Sequence, residues 1–402
     1  MRRLLVTTLV LLVVVGGGLY AMDRVSATYA GKLLADLGAE VVKVEEPGVG
    51  DEARRVGPFL DKVSAYFVSI NRGKKSLTLN LKSEAGRRLF LELTRQADIL
   101  VENYRPGVMQ RLGLDYETLR AMQPRLVYAA CSGFGQTGPY AHRGAYDMIA
   151  QGMGGIMSIT GEPGGTPVRV GTSIGDIAAA LFTTIGILAA LAHARATGQG
   201  QLVDVGMLDC QVAIMENAIV RHLATGEIPG PLGSRHPSIA PFEAFPAADG
   251  YVILAVGTKQ WERFCNAIGR PDLVAHPHFA TNALRAEHVD ELKEILAPIT
   301  RRRSVAAWVS DMEAIGVPCG PVNTVDRVVQ DPQVKAREML VEVQDAEAGP
   351  IPVAGLPIKL SVTPGKVAAR APRLGEHTDA VLGEWLNLTP DAIARLQADE
   401  VI

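Results

Sequence analysis

The sequence predicts an α/β fold, in which a mostly parallel, doubly wound sheet is accompanied by a smaller α+β domain. The chain has 402 residues, of which 48% are hydrophobic and 21% charged, an ordinary globular composition with room for two or three domains. From residue 29 to residue 130, short apolar strand patterns alternate with helix patterns across short links, as in doubly wound sheets. After a loop rich in proline and glycine at residues 229–246, the pattern changes to one strand followed by several helices.

The first half of the chain supplies the predicted parallel sheet. Residues 29–38 place Leu33, Leu34 and Leu37 on one helical face, and Gly38 suits the end of a helix. The next segment, EVVKVE at residues 40–45, has the composition of a strand. The other predicted elements of this half are a strand at 76–81, a helix at 83–97 and short apolar runs at 99–101 and 126–130.

The second half begins with a helix at residues 177–196 that is apolar on nearly every face, which predicts burial between layers or subunits. The smaller domain then has a predicted strand at 251–256 and helices at 260–268, 289–299 and 305–315. Extended segments at 342–343 and 357–360 and a helix at 378–386 return to the first domain. We therefore expect a large domain with the doubly wound sheet from residues 1–225 and 326–402, and a small α+β domain from residues 226–325.

Charge and cysteine content exclude several classes of protein. Forty basic and forty-three acidic side chains give a formal charge of −3, whereas nucleic-acid-binding domains usually have a strong basic excess. The four cysteines lie far apart and form no CxxC pair, which excludes a zinc ribbon and disfavours a disulfide framework.

The N-terminal segment MRRLLVTTLVLLVVVGGGLYA allows two interpretations. Two arginines followed by an apolar run from Leu4 to Val15 have the form of a signal peptide, which the pattern alone favours. A central parallel strand, buried on both faces, also reads as an unbroken run of valine and leucine.

Three short motifs have weak chemical signals. The string GGGLYA at residues 16–21 fits a dinucleotide-binding turn, but the acidic residue Glu45 lies 27 positions after Gly18 instead of about 20. The string GFGQTG at residues 133–138 runs into Pro139, so we expect a loop after a strand and no phosphate cradle. His276 and His278 have no third ligand nearby in the sequence, so we expect a solvated turn and no metal site.

A basic segment and one acidic residue have stronger signals. Residues 71–90 contain six lysines and arginines against one acid, which is either a solvated face or a patch for an anionic ligand. Asp176 lies at the start of the apolar helix, after Gly175. An aspartate there is either an N-cap or an ionised carboxylate that can act as a nucleophile, and position alone leaves both readings open.

Several strings together resemble the class III CoA-transferases, the family of formyl-CoA and carnitine CoA-transferases that also contains α-methylacyl-CoA racemases. The resemblance extends from about Asp23 to Leu386 and is carried by YAGKLLADLGAEVVKVEEPGVGD, NRGKKSLTLNLKS, LVENYRPGVMQRLGLDYETL, GFGQTGPYAHRGAYDMIAQGMGG, SIGDIAAALFTTIGILAAL and GVPCGPVNTV. It implies a Rossmann-like large domain, a small middle domain, and two identical subunits threaded through each other as an interlocked homodimer. It also implies that coenzyme A esters are substrates and that no cofactor remains bound.

The resemblance assigns roles to individual residues. The catalytic aspartate of the family falls on Asp176, which would attack the acyl-CoA thioester, form a mixed anhydride and then carry CoA as an aspartyl thioester. Backbone N–H groups near Asp176 and in the loop near Gly233–Pro237 would stabilise the oxyanion. The residues implied for CoA binding are Arg24, Val25, Ser26, Ala27, Leu79, Lys82, Asn103, Tyr104 and Arg111, and those implied for the acyl site are Tyr146, Gly233 and His236.

This chain departs from the family pattern at two places, and alternative functions remain open. Where the family opens its first strand with a string like VLDLTRVLAGPYAG, this chain reads LYAMDRVSATYAG, and a family arginine after VKVE is replaced by Glu46 and Pro47. A racemase on the same fold is the first alternative, but Tyr146 stands where racemases have a histidine base, and a phenol is a poor base at neutral pH. A nicotinamide-dependent enzyme and an exported solute-binding protein are weaker alternatives.

We expect the partners to be an acyl-CoA and a small carboxylic acid, with no nucleic acid and no membrane. CoA esters are cytoplasmic metabolites, so we expect a cytoplasmic enzyme whose N-terminus is retained.

Overall fold

The structure is a computed structural model that describes residues 8–13, 25–367 and 369–402. Within these residues, six parallel strands form the large sheet in the order β5-β2-β1-β6-β7-β8. The strands are β1 Leu9–Val13, β2 Glu40–Glu45, β3 Phe59–Leu60, β4 Val63–Ser64, β5 Lys74–Thr78, β6 Ile99–Glu102, β7 Val127–Ser132, β8 Leu202–Gly206, β9 Phe242–Ala247, β10 Gly250–Ala255, β11 Cys319–Pro321, β12 Leu340–Asp345 and β13 Gly349–Ala354.

The helices alternate with these strands as the sequence predicts. Short 3₁₀ turns lie at Glu52–Arg55, Thr258–Gln260 and Pro271–Leu273. The α-helices are α1 Val25–Asp36, α2 Ala65–Asn71, α3 Glu84–Gln96, α4 Val108–Leu112, α5 Tyr116–Met122, α6 Asp147–Met153, α7 Ile156–Ile159, α8 Ile174–Thr197, α9 Met207–Ile214, α10 Glu216–Thr225, α11 Trp261–Ala267, α12 Asn282–Glu287, α13 Val289–Thr300, α14 Val305–Ala314, α15 Val325–Val328, α16 Pro332–Ala336, α17 Thr378–Leu386 and α18 Pro390–Ala398.

Strand β1 lies in the middle of the large sheet, between β2 and β6. Val10 and Leu11 are fully buried and point to opposite faces, because successive side chains of a strand alternate. Val10 packs in a cluster with α1 and α8, while Leu11 packs in a cluster with α3 and α17. The sheet is therefore covered by helices on both faces, and residues 9–13 form the buried parallel strand that was one reading of the N-terminal run.

The chain divides into two compact units. The first comprises Met1–Met157, Arg169–Glu227 and Gln333–Ile402, and it contains the parallel sheet. The second comprises Ser158–Val168 and Ile228–Pro332. In the second unit, the antiparallel sheet β11-β10-β9 and its helices enclose a separate core that includes Phe245, Trp261 and Trp308.

Helix α8 is long and apolar enough to cross a membrane by length and composition alone, yet 56% of its most apolar window is buried inside the protein. It packs against the sheet through Ile187, Ala190 and Leu191. Within the described structure, this is the burial of a core helix, as the sequence predicts.

Three sequence-based element predictions need correction, and two further elements were not predicted. Helix α1 begins at Val25 rather than at residue 29, and β9 occupies part of the segment predicted as loop. The extended segment at residues 357–360 forms no regular strand. Strand β8 and helix α18 lack strong local patterns and were not predicted; α18 is held by Ile393, which packs in the core of the first unit.

Candidate active site

Asp176 is a buried carboxylate in the first turn of α8, with 4% of its surface exposed. It is not the N-cap, because Ser173 occupies that position. The neighbouring N–H of Gly175 donates to Asp147 Oδ1 at 2.8 Å. The N-cap interpretation of Asp176 is therefore wrong, and its carboxylate is directed elsewhere.

A hydroxyl from a distant part of the chain holds this carboxylate. Ser26 Oγ, in the first turn of α1, donates a hydrogen bond of 2.9 Å to Asp176 Oδ1. Both side chains are buried, which strengthens a charge-assisted hydrogen bond. The start of α8 also has the positive end of the helix dipole, which favours an ionised carboxylate.

The side chains near Asp176 include two groups that stay neutral at physiological pH. Burial raises the pKa of the Cys131 thiol to about 12, and the negative charge of Asp176 adds to the increase. Burial, together with the negative charges of Asp176 and Asp51, raises the pKa of Tyr66. Neither the thiol nor the phenol then adds a negative charge beside Asp176.

Asn103 joins the elements that surround this carboxylate. It directly follows β6, and its Nδ2 donates to the carbonyl oxygen of Cys131 at 2.7 Å. Its Oδ1 accepts a long hydrogen bond of 3.5 Å from the backbone N–H of Ala27. The side chain thus connects the first turn of α1 with the carboxyl end of β7.

The strand order explains why these residues meet. The chain runs from β1 to β2 and β5 on one side and through β6, β7 and β8 on the other, so the order reverses between β1 and β6. Open α/β sheets bind ligands at the carboxyl ends of their strands, at this switch point. Helix α1 and Asn103 follow the two strands that flank it, so the cluster around Asp176 lies where such a fold places a ligand.

The predicted CoA-binding residues that the structure describes fall into three groups. Ser26, Ala27 and Asn103 lie in the cluster around Asp176, and Val25 is the buried first residue of α1. Tyr104, the buried neighbour of Asn103, donates its backbone N–H to Glu102 Oε2 at 2.6 Å. Leu79 is fully buried in the core, so its side chain is not accessible to a ligand. Arg24 lies outside the described residues.

The third group consists of two exposed cations. Lys82 Nζ pairs with Glu46 Oε1 at 2.8 Å, and the lysine side chain is 66% exposed. Arg111 is exposed at the end of α4. Both cations reach solvent, and an anionic ligand such as the phosphates of CoA would compete with Glu46 for Lys82.

The predicted acyl-site residues divide between the two units. In the first unit, Tyr146 is the half-buried N-cap residue of α6, next to Asp147, whose carboxylate contacts the start of α8. In the second unit, Gly233 has a φ of +63° and its N–H donates to Gly161 O at 2.8 Å. A side chain at Gly233 would be strained, because residues with a Cβ rarely adopt a φ of +63°.

His236, also in the second unit, is fixed in one tautomer. Its Nδ1 accepts hydrogen bonds of 3.1 Å from the backbone N–H groups of Ser238 and Ile239, and its ring stacks on Phe242. The proton of the neutral ring is therefore on Nε2, which leaves that nitrogen as a donor.

Sequence reasoning did not identify Cys131 and Tyr66 as neighbours of Asp176. They belong to different elements, β7 and α2, respectively. One local signal was available: Cys131 ends an apolar run two residues before the glycine-rich loop at residues 133–138.

Known proteins share this fold over most of the chain. A family model of CoA-transferase family III matches residues 21–378. A solved CAIB/BAIF family protein from Brucella suis has a TM-score of 0.82 and 37% identity, covering 94% of this chain and 98% of that one.

Two curated relatives match this chain over a similar share of its length. A succinate–glutarate CoA-transferase from Agrobacterium fabrum is 41% identical, over 89% of this chain and 91% of the relative. An acetyl-CoA:oxalate CoA-transferase from Acetobacter aceti is 42% identical, over 88% of this chain and 90% of the relative. These matches confirm the resemblance and the enzyme class predicted from the sequence: the chain belongs to CoA-transferase family III and transfers CoA between acyl-CoA thioesters and carboxylic acids.

Proposed function

We propose that Asp176 is the nucleophile of this CoA transfer. The observation that carries the proposal is a buried carboxylate at the switch point of the parallel sheet, oriented by the Ser26 hydroxyl at 2.9 Å. One Asp176 oxygen is held by this hydrogen bond, so the rotation of the carboxylate is restricted before substrate arrives.

The reaction proceeds in four exchanges that balance without proton transfer. Asp176 attacks the thioester carbonyl, the C–S bond breaks, and CoA leaves as a thiolate while an acyl-aspartyl anhydride forms. The thiolate attacks the Asp176 carbonyl carbon, which releases the donor acid as a carboxylate and leaves an aspartyl-CoA thioester. The acceptor carboxylate then attacks that thioester, and the released thiolate attacks the acceptor acyl carbon. This last step forms the new acyl-CoA and regenerates the Asp176 carboxylate.

Cys131 supports this assignment by remaining inert. A thiolate beside a thioester would itself exchange with the acyl group and trap it. Because burial raises the pKa of Cys131 to about 12, the group is a thiol at neutral pH and does not compete with Asp176.

We further propose succinyl-CoA as a donor and a short dicarboxylate as acceptor. The support comes from the names of three relatives: the succinate–glutarate and acetyl-CoA:oxalate CoA-transferases, and a succinyl-CoA–D-citramalate CoA-transferase from Chloroflexus aurantiacus, 39% identical over 93% of this chain. An assay that pairs succinyl-, acetyl- and formyl-CoA with a panel of short mono- and dicarboxylates tests this choice. Preferential use of monocarboxylates would contradict it.

We propose that the working enzyme is a homodimer, as the family resemblance implies. Helix α8 exposes Leu181, Phe182 and Ile185, the last by 62%, although the helix is otherwise a core element. Helix α6 adds Met148, Ile149 and Met153, which are exposed by 44% or more. Large apolar side chains grouped on neighbouring helices favour coverage by another protein surface.

Trapping the covalent intermediate tests the role of Asp176 directly. The enzyme is mixed with succinyl-CoA, quenched with hydroxylamine, digested and analysed by mass spectrometry, and we expect a hydroxamate on the peptide that contains Asp176. Asp176→Asn should lose the label and reduce kcat by about 10³-fold or more, as for other lost nucleophiles. The control is Asp115→Asn, because Asp115 caps α5 through the Thr118 N–H and an asparagine caps equally well.

Two outcomes would overturn the assignment. One is a hydroxamate on a different carboxylate, and the other is turnover by Asp176→Asn at the rate of the Asp115→Asn control. Rapid exchange of deuterium at the α-carbon of a 2-methylacyl-CoA would instead support the racemase alternative.

A further inference from the structure

Two histidines and a glutamate of the second unit converge at its surface. His278 lies in the turn before α12, His288 is the N-cap residue of α13, and Glu291 lies in the first turn of α13. One ligand atom from each side chain lies within 4.8 Å of those of the other two. His278 Nδ1 is 2.7 Å and His288 Nδ1 is 3.8 Å from Glu291 Oε2.

The local backbone holds this arrangement. His288 and Glu291 are three residues apart at the start of a helix, so they lie on the same face. His278 precedes the fully buried Phe279, which anchors the turn, and its ring stacks on that of His288 with centroids 3.9 Å apart and planes inclined by 7°. The two imidazole rings are therefore stacked face to face beside one carboxylate.

The chemistry of this set fits a transition-metal ion. Imidazole nitrogens and a carboxylate are ligands of zinc and related divalent ions, whereas magnesium and calcium prefer oxygen ligands alone. Two ligands at 2.0–2.1 Å from a tetrahedral ion are about 3.3 Å apart. The Nδ1–Oε2 separations of 2.7 and 3.8 Å lie on either side of that value. Because an ion lies in the plane of each imidazole that binds it, one of the two stacked rings must turn out of the stack to bring all three atoms to one ion.

We infer that His278, His288 and Glu291 form a binding site for one zinc-like divalent ion, whose remaining coordination positions are open to water. All three ligands belong to the second unit, whereas Asp176 belongs to the first. The ion would join the turn before α12 to the start of α13, so its role is to stabilise this part of the second unit. The sequence prediction of no metal site rested on His276 and His278, and the completing ligands are those contributed by α13.

His276 provides a matched control. It lies in the same turn, but its ring stacks on Phe279 with centroids 4.6 Å apart, and its Nδ1 accepts the backbone N–H of His278 at 3.2 Å. It does not belong to the three-ligand cluster. Its removal perturbs the turn without removing a proposed ligand.

The test uses the full-length protein without a histidine tag, treated with chelator and dialysed. It is titrated with Zn²⁺ by calorimetry and with Co²⁺ by visible absorption, which reports the coordination geometry. We expect one ion per chain and a higher melting temperature with Zn²⁺. His278→Gln, His288→Gln and Glu291→Gln should each weaken metal binding by at least about tenfold, because even substitutions of residues behind the ligands cause such a loss. His276→Gln should bind the ion as the wild type does.

The inference is overturned by any of three results. They are the absence of saturable binding, binding that survives all three ligand substitutions, and equal weakening by His276→Gln. Circular dichroism of each variant confirms that the affinity is measured on folded protein; the three ligand side chains are partly or largely exposed, so folding should tolerate their replacement.

Discussion

In the proposed mechanism the chemistry depends on Asp176, and burying this carboxylate has a cost. A buried carboxylate loses the hydration of its charge and needs hydrogen bonds and a favourable field in return. The Ser26 hydroxyl supplies one hydrogen bond, and the start of α8 supplies the field. A nucleophile held this way is oriented before the substrate arrives.

Ser26→Ala should lower kcat by about tenfold, because a hydrogen bond to a charged group contributes about 1.5 kcal/mol or more. The matched control is Thr184→Val, which removes a buried hydroxyl from α8 that bonds only to the Ala180 carbonyl in the hydrogen bonds described. Steady-state kinetics with succinyl-CoA measures both. Equal losses in the two variants would show that Ser26 acts through folding alone.

Substitutions of Lys82 and of Glu46 should have opposite effects on the affinity for the CoA ester. Lys82→Met should raise the KM for the CoA ester severalfold, because it removes a cation suited to phosphate. Glu46→Gln should lower that KM, because the Glu46 carboxylate forms an ion pair with Lys82 at 2.8 Å and competes with the ligand for this cation. We expect little change in kcat for either variant.

Arg88→Met is the control for these two substitutions. Arg88 is also an exposed cation paired with a glutamate, Glu84, at 3.0 Å. A KM change in Arg88→Met equal to that in Lys82→Met would mean that only the general surface charge matters.

At the scale of elements, a buried ion-pair network joins β2, β5 and the 3₁₀ turn at Glu52–Arg55. Glu45, the last residue of β2, accepts bonds from Arg54 Nε at 2.9 Å, Arg54 Nη2 at 2.7 Å and Ser76 Oγ at 2.6 Å. Burial alone would raise the pKa of Glu45. The hydrogen bond from Arg54 and the charge of Lys43 outweigh burial, so the pKa is lowered. The network therefore stabilises the edge of the sheet only while Glu45 is ionised.

Arg54→Met should reduce the free energy of unfolding by about 3 kcal/mol at pH 7, since it leaves a buried carboxylate without its main partner. Methionine keeps the packing that Arg54 makes over the Phe67 ring. Because the folded-state pKa of Glu45 is depressed, its stabilisation is complete above the ordinary value of 4.5 and is lost as the pH falls through the folded-state pKa. The difference between wild type and variant should thus shrink below pH 4.5, measured by urea unfolding across pH.

The control is Arg373→Met, which breaks an exposed pair with Glu347. An exposed pair contributes at most about 1 kcal/mol. The role of the network would be contradicted if Arg54→Met lowered the free energy of unfolding by no more than Arg373→Met, or by an amount that does not depend on pH.

At the scale of the whole molecule, β1 connects the two halves of the parallel sheet. It pairs with β2 on one side and β6 on the other, and Leu9 N–H also bonds to Asp98 Oδ2 at 2.9 Å. Removing it would leave the backbone groups of two neighbouring strands unpaired and both apolar faces uncovered. We therefore propose that the N-terminal run is retained and that the enzyme works in the cytoplasm, where CoA esters are found.

A chain that begins at Met22 lacks β1, and we expect it to lose cooperative unfolding and CoA-transfer activity. A control chain without residues 2–7 keeps Thr8 and β1 and should behave as the full-length protein. Calorimetry and activity assays compare the two. Intact mass of the protein from its native host completes the test, and a mature, exported chain beginning at Met22 would contradict both proposals.

The proposed homodimer predicts that charge on the exposed face of α8 prevents assembly. Ile185→Glu should convert a dimer into a monomer or an aggregate, because it places a carboxylate in an apolar interface. Ile185→Leu keeps an apolar side chain of the same size and should leave the dimer intact. Sedimentation velocity measures both, and a monomeric wild type would contradict the homodimer.

The sequence by itself determined the elements whose pattern is local. The bounds of β2 at Glu40–Glu45 and of α17 at Thr378–Leu386 were predicted as observed, because strand composition, helical spacing and stop signals lie within a few residues of each other. The family and the candidate nucleophile Asp176 also came from contiguous strings, and the comparisons confirmed the family.

Only the tertiary structure decided the contacts between distant segments. Ser26 and Asp176 are 150 residues apart, and no local pattern encodes their hydrogen bond. The same holds for β1, whose apolar run fits both a signal peptide and a central strand until its neighbours β2 and β6 are in place. It holds again for His278, which becomes a possible metal ligand only because the chain folds the start of α13 against it. Sequence patterns report the preferences of short segments, whereas these features arise from the packing of segments that the chain brings together only when it folds.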